Sequence, residues 1–146
     1  MNDIQTVLAF DFGLRRIGIA AGDTLTRSAA PRAAIAVGVH GPDWDAIARE
    51  VHALLPQLLI VGSPYNVDGS SGTLAPAARA FAQELGRRFA LPVARVDERY
   101  SSVEAAEKLK SQRQRGQRGR IRREEIDSAA AAVILERYLA GEGENA

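Results

Sequence analysis

The segment DFGLRRIGIA, residues 11–20, decides how the 146-residue chain is interpreted, because an aspartate ends one apolar stretch and another begins six residues later. Residues 7–10 and 17–21 are short and almost wholly apolar, as is typical of buried central strands. Residues 13–16 leave room only for a tight antiparallel connection. Asp11 is therefore predicted at the end of a core strand, where a carboxylate either meets a cation, donors or a metal, or hydrogen-bonds its own turn.

Length and composition bound the class of protein. A chain of 146 residues is expected to form a single domain, residues 1–146, with its own core. It contains no cysteine, which excludes disulfides, thiolate metal sites and cysteine nucleophiles. The N-terminus has no secretory pattern, and no apolar stretch approaches the ~20 residues of a membrane span. We expect a soluble, cytoplasmic protein that does not act on membranes.

The net charge of +1 conceals a strongly basic segment. Between residues 108 and 123 there is no acidic residue, and eight basic ones occur: Lys108, Lys110, Arg113, Arg115, Arg118, Arg120, Arg122 and Arg123. Such a segment with flexible glycines can follow a nucleic-acid backbone without reading its sequence, although it can equally be a solvated loop. It has no interleaved aromatic residues, which argues against base stacking there.

The remaining pattern predicts the order of the elements. A third strand is expected in residues 28–39 around Pro31, and an amphipathic helix follows an N-cap at Asp43. Strand 58–61, helix 74–89, strand 91–96, a short helix from Ser101 and a last helix over 123–139 complete the series. This order predicts an α/β fold whose mixed sheet has antiparallel first three strands and then parallel strands, with helices on both faces.

Acidic residues recur where this fold would gather them. Asp97 and Glu98 end a second strand, which could lie beside the strand of Asp11 with its acids at the same end of the sheet. Asp127 precedes the tetra-alanine run 129–132, which would let the last helix approach the strands closely. Alternatively, Asp127 stabilises a helix N-terminus, and residues 97–99 form a surface ion-pair cluster.

Three gathered carboxylates repel one another unless divalent cations neutralise them, and oxygen ligands favour Mg²⁺ or Mn²⁺. Two such ions about 4 Å apart can cleave a phosphodiester by in-line attack of water. Adjacent strand residues point to opposite faces, so only one of Asp97 and Glu98 should reach the metals, and the pattern does not say which. The loop 62–72 could bind a phosphate through backbone amides, Asn66 and Ser70, or be a plain connector.

The chain resembles the YqgF family, also called RuvX, of the ribonuclease H-like superfamily. Four motifs in order carry the resemblance: residues 11–20; Gly62, Pro64 and 68–70; residues 97–99 with Ser101 and Ser102; and residues 127–130 with Ile134 and Leu135. Where the family often has threonines after its acid-acid-arginine motif, this chain has Tyr100, Ser101 and Ser102, so the hydroxyls are kept.

The resemblance implies a ribonuclease H-like, metal-dependent nuclease linked to the 5′ end of precursor 16S ribosomal RNA, with Asp11, Glu98 and Asp127 as catalytic acids and ligands of Mg²⁺ or Mn²⁺. Arg15, Arg16, Arg99 and the basic segment would contact phosphates. One alternative is a Holliday-junction resolvase acting on branched DNA, for which a homodimer would be suited. Another is a nucleic-acid or transcription-associated binding protein without catalysis. An actin-like ATPase is disfavoured, because those enzymes need two such domains.

Overall fold

The computed structural model describes residues 5–63, 74–97 and 123–142. Its elements, in chain order, are β1 (Thr6–Asp11), β2 (Arg16–Asp23), β3 (Ala29–Gly38), β4 (Gly41–Pro42), α1 (Trp44–Leu54), β5 (Leu58–Ser63), α2 (Leu74–Phe89), β6 (Val93–Asp97), α3 (Arg123–Arg137) and a π-helical turn (Tyr138–Glu142). The predicted short helix from Ser101 lies outside the described residues.

The strands form a six-stranded sheet in the order β4-β3-β2-β1-β5-β6. Strands β1, β2, β3 and β4 pair antiparallel with one another, whereas β5 runs parallel to both β1 and β6. The predicted mixed sheet, antiparallel at first and then parallel, is confirmed. The two-residue strand β4 was not predicted, because its Gly-Pro sequence has no strand character.

The expectation that the two acid-bearing strands are neighbours is wrong, because β5 lies between β1 and β6. Leu59, Ile60 and Val61 of β5 are fully buried, and a strand so apolar on both faces is stabilised by neighbours on both sides. Since β1, β5 and β6 are parallel, their carboxyl ends still meet at one end of the sheet, here called the carboxyl edge. Two strand spacings separate β1 from β6 there, about 10 Å.

The two faces of the sheet carry separate apolar cores. Along β1, Leu8 and Phe10 pack in a core that contains residues of α1 and α2, whereas Val7 and Ala9 pack in one that contains residues of α3. Helices therefore cover both faces, as predicted. In the part of the chain described, no helix is long and apolar enough to span a membrane.

Helix α1 begins as the sequence predicts. The Asp43 side chain accepts a hydrogen bond from the Ala46 amide at 3.1 Å, which satisfies one of the free N–H groups of the first turn. Leu55 ends the helix in the left-handed conformation with φ of 49°, and Pro56 follows. Ile47 and Val51 are buried against the sheet.

A cluster of aromatic side chains joins α1 and α2 to the end of β1. Phe81 lies with its ring centroid 5.6 Å from that of Phe10, 5.1 Å from that of Phe12 and 5.4 Å from that of Trp44. The Arg88 guanidinium covers the outer face of Trp44 at 4.3 Å. Phe12, which directly follows β1, is therefore held by packed aromatic rings on the face of the sheet that α1 and α2 cover.

Glu84 on α2 has a lowered pKa. Arg87 and Arg88 donate hydrogen bonds to its carboxylate and lower its pKa to about 2. Because this lies below the ordinary value of 4.5, the ionised form stabilises the fold above pH 4.5, and this contribution is lost as the pH falls from 4.5 to about 2.

An NMR titration of Glu84 is expected to show a midpoint near 2 in the wild type. In the Arg87→Ala, Arg88→Ala double variant the midpoint should return toward the ordinary value, because both donors are gone. A wild-type midpoint equal to that of the double variant would contradict the assigned cause.

Candidate active site

Asp11 is the predicted site residue that the structure describes most completely. It is the last residue of β1 and is partly buried at the carboxyl edge. Since residues two apart on a strand share a face, Asp11 shares the face of Val7 and Ala9, which is covered by α3. Its neighbours in register are Gly18 on β2 and Gly62 on β5. The carboxylate is thus flanked by glycines on both adjacent strands.

The turn after Asp11 is a tight hairpin, as predicted, and β3 holds it. A Cβ atom on Gly13 would lie 2.6 Å from the carbonyl oxygen of Arg16, so only glycine fits this turn without a shift of the backbone. The Val37 amide of β3 donates a hydrogen bond to the Arg15 carbonyl at 2.9 Å. Arg15 is exposed and Arg16 is partly buried, which leaves the Arg15 guanidinium accessible near the carboxyl edge.

Strand β6 brings the second acidic motif to the same edge. Val96 is level with Gly62 and therefore with Asp11, and it belongs to the core that contains residues of α3. Asp97, paired with Ser63, is the last residue of the strand. Glu98 and Arg99 lie outside the described residues.

Helix α3 packs closely on the sheet, as the tetra-alanine run predicts. Residues 129–132 are all buried. A Cβ atom on Gly22 would lie 3.1 Å from Cδ2 of Leu135, so the helix and β2 are in near contact at that point. Ser128 is only 3% exposed, and within the described part of the chain its Oγ has no hydrogen-bond partner. A buried hydroxyl without a partner is costly, so a polar group is expected to reach it.

The remaining predicted residues are placed only in part. Asp127 and Arg123 are residues of α3, for which the structure describes the backbone but not the side chains. Also outside it are Asn66, Ser70, Lys108, Lys110, Arg113, Arg115, Arg118, Arg120 and Arg122. Among the described residues no group of three His, Cys, Asp or Glu could hold a metal; Glu98 and the Asp127 side chain are not among them.

The structure also contains a cavity away from this edge. Its volume is about 360 Å³, and it lies between α2 and the outer part of β6, with Arg79, Gln83, Leu91 and Arg95 in its lining. Val93, which also lines it, packs in the core of α1 and α2, so the cavity is on the face opposite to α3. It contains none of the predicted site residues and is separate from the candidate site.

Comparisons with known proteins agree with one another. The model of a family described as "RuvX: Holliday junction resolvase" matches residues 5–141. A protein of Xanthomonas oryzae pv. oryzae named "Putative pre-16S rRNA nuclease" is 47% identical over 92% of this chain and 87% of its own length. One of the same name from Xanthomonas axonopodis pv. citri is 46% identical over the same shares.

Two solved structures share the fold at low sequence identity. Thermus thermophilus RuvC in complex with a Holliday junction substrate has a TM-score of 0.56 and 14% identity, covering 97% of this chain and 99% of that one. A second structure of Thermus thermophilus RuvC has a TM-score of 0.54 and 12% identity over the same shares. The architecture is therefore ribonuclease H-like, as the sequence motifs implied.

Proposed function

The chain belongs to the RuvX family, and on that premise we propose that it is a metal-dependent endonuclease that hydrolyses phosphodiester bonds in structured RNA, with precursor 16S ribosomal RNA as its substrate. The observation that carries the proposal is the place of Asp11: a partly buried carboxylate at the carboxyl edge, in register with the end of β6. Open α/β sheets bind their ligands at this end.

Strand alternation favours Glu98 over Asp97 as the second acid. Val96 faces α3, as does Asp11. If β6 continued as a strand beyond Asp97, position 98 would be on the same face of the sheet as Val96 and Asp11. The family resemblance and the register therefore favour the same residue.

The packing of α3 is compatible with Asp127 as the third acid. Leu135 lies beside Gly22, which pairs with Val7. Asp127 is eight residues before Leu135, about 12 Å along a helix, and Asp11 is four residues after Val7, about 13 Å along a strand. If α3 runs from Leu135 toward the carboxyl edge, position 127 is at the level of Asp11.

The donor set fits hard divalent cations. We propose that Asp11, Glu98 and Asp127 hold Mg²⁺ or Mn²⁺, for which carboxylate oxygens are preferred ligands. The Ser128 hydroxyl next to Asp127 has no hydrogen-bond partner among the described residues, which is consistent with a polar ligand nearby. When bound, two such ions supply an activated water and stabilise the leaving oxygen.

The basic residues position the substrate in this proposal. Arg15, Arg16, Arg99 and the segment from Lys108 to Arg123 contact phosphates, and Asn66 and Ser70 donate further hydrogen bonds from their loop. Phosphate contacts fix the orientation of a nucleic acid and make its affinity depend on salt. The whole chain, residues 1–146, acts as one nuclease domain in the cytoplasm.

A second candidate is resolution of Holliday junctions in DNA. It is supported by the description of the family and by the shared fold with a RuvC structure that contains a junction. The same carboxylates would perform the same hydrolysis, and symmetric incision would need a homodimer. A binding protein that holds nucleic acid without cleaving it is the alternative outside the nucleases.

The test compares cleavage of a precursor 16S rRNA fragment with cleavage of a four-way DNA junction, each with Mg²⁺, with Mn²⁺ and with chelator. The proposal expects metal-dependent cuts in the RNA and slower or no cuts in the junction. Paired symmetric cuts in the junction alone would favour the resolvase. Salt-sensitive binding without turnover under either metal would support the binding protein instead.

A further inference from the structure

The large apolar side chains that the described part of the chain leaves exposed lie at the two ends of the sheet. They are Leu14, Leu25, Val39 and Leu55, with exposed fractions of 64%, 68%, 97% and 72%. Leu14 is in the hairpin after β1, and Val39 is in the turn after β3, which runs in the same direction as β1. Both therefore lie at the carboxyl edge, whereas Leu25 and Leu55 lie at the opposite end of the sheet.

The two exposed residues belong to hairpins that are joined to each other. The hydrogen bond from the Val37 amide to the Arg15 carbonyl ties the tip of the first hairpin to the end of β3. Gly38 pairs with Gly41 across the second turn, so Val39 projects from a closed two-residue tip. Leu14 is next to Arg15, and Val39 is two residues beyond Val37. The two apolar residues are thus on either side of the hydrogen bond that joins the two hairpins at the carboxyl edge.

The charge of these hairpins is suited to a polyanion. Arg15 and Arg16 lie in the first hairpin, at the carboxyl edge, whereas Arg27 lies at the opposite end of the sheet and Arg32 forms an ion pair with Glu50. Arg15, beside Leu14, is exposed. An apolar tip next to an accessible guanidinium matches the combination of base surface and phosphate that a nucleic acid presents.

We propose that Leu14, together with Val39 on the adjoining hairpin, packs against unstacked bases of the nucleic acid bound at Asp11. Leu14 is three residues after Asp11, so their Cα atoms are at most about 11 Å apart, or roughly three base steps of 3.4 Å. A leucine inserted there separates stacked bases, which costs free energy in a continuous helix and little where stacking is already broken. The inference rests on the proposed function and narrows its substrate to strands with a bulge, branch or open end beside the cleaved bond.

The test uses fluorescence of 2-aminopurine placed next to an RNA bulge or at the branch of a four-way DNA junction, with Ca²⁺ in the buffer. Wild-type protein is expected to raise the fluorescence by unstacking the probe base. Leu14→Ser should abolish most of this rise and weaken binding of the interrupted probe by about 10-fold, because the buried apolar contact is lost. Binding of a continuous duplex should not change.

Leu25→Ser is the matched control, since Leu25 is equally exposed but lies at the other end of the sheet. If Leu14→Ser and Leu25→Ser behave alike in both probes, with unchanged melting temperatures, the inference is overturned. The RNA and DNA probes show which nucleic acid the hairpins accept. Cleavage is measured separately. A Leu14-dependent fluorescence signal without cleavage would refute the proposed nuclease activity and support the base contact. Cleavage without that signal would support the nuclease activity and refute the base contact.

Discussion

Replacing Asp11 by asparagine is expected to reduce metal-dependent cleavage by about 10³-fold or more, the scale on which removal of catalytic residues acts. Asparagine keeps the shape of the side chain but removes the charge that attracts a divalent cation, and its amide nitrogen cannot serve as a ligand oxygen. The substitution is at a strand end that is only partly buried, so the melting temperature should change little.

Asp45→Asn provides the matched control for this experiment. Asp45 is an exposed aspartate in the first turn of α1, on the face of the sheet opposite to α3. The same chemical change there should leave cleavage at the wild-type rate. Cleavage by Asp11→Asn at the rate of Asp45→Asn would refute Asp11 as a metal ligand and, with it, the proposed site.

The largest expected effect on stability is that of Phe81→Ala, which should reduce the free energy of unfolding by about 3–5 kcal/mol. Phe81 is buried and contacts three other aromatic rings, so its removal leaves a cavity between α2 and the end of β1. In a domain of this size about 3 kcal/mol corresponds to roughly 10 °C in melting temperature. Urea unfolding followed by circular dichroism measures the difference.

Leu55→Ala is the control for the loss of an apolar side chain. Leu55 is exposed, and its replacement should change the unfolding free energy by less than about 0.5 kcal/mol. A Phe81→Ala variant as stable as Leu55→Ala would show that the aromatic cluster does not hold α2 against the sheet. Because Phe12 belongs to this cluster and follows Asp11, reduced cleavage is also expected in Phe81→Ala.

The local elements could be predicted because their signals are local. The apolar runs around residues 13–16 fixed the first hairpin, and the Asp43 cap with its periodic apolar residues fixed α1. The position of β5 between β1 and β6 could not be read from these patterns, because strand order depends on how crossover helices pack over a whole sheet. Strand β4 and the π-helical turn were missed because each is too short for a periodic pattern.

The chemistry of the candidate site stays a prediction, and its geometry is described only in part. The aspartate at a strand end identified Asp11, but the choice between Asp97 and Glu98 required a register, and the resemblance alone favoured Glu98. The structure describes β6 only to Asp97, so the choice of Glu98 stays a prediction. Leu14 was overlooked because a single apolar residue in a turn is common and indicates nothing without knowledge of its exposure and place.

Gly62 stands midway between the two acid-bearing strands, level with Asp11 on one side and Val96 on the other. All three positions share the face of α3, yet the middle one has no side chain, so on that face only the backbone of β5 lies between Asp11 and Val96. What the two strand ends can share at this level is thus decided by what the central strand omits.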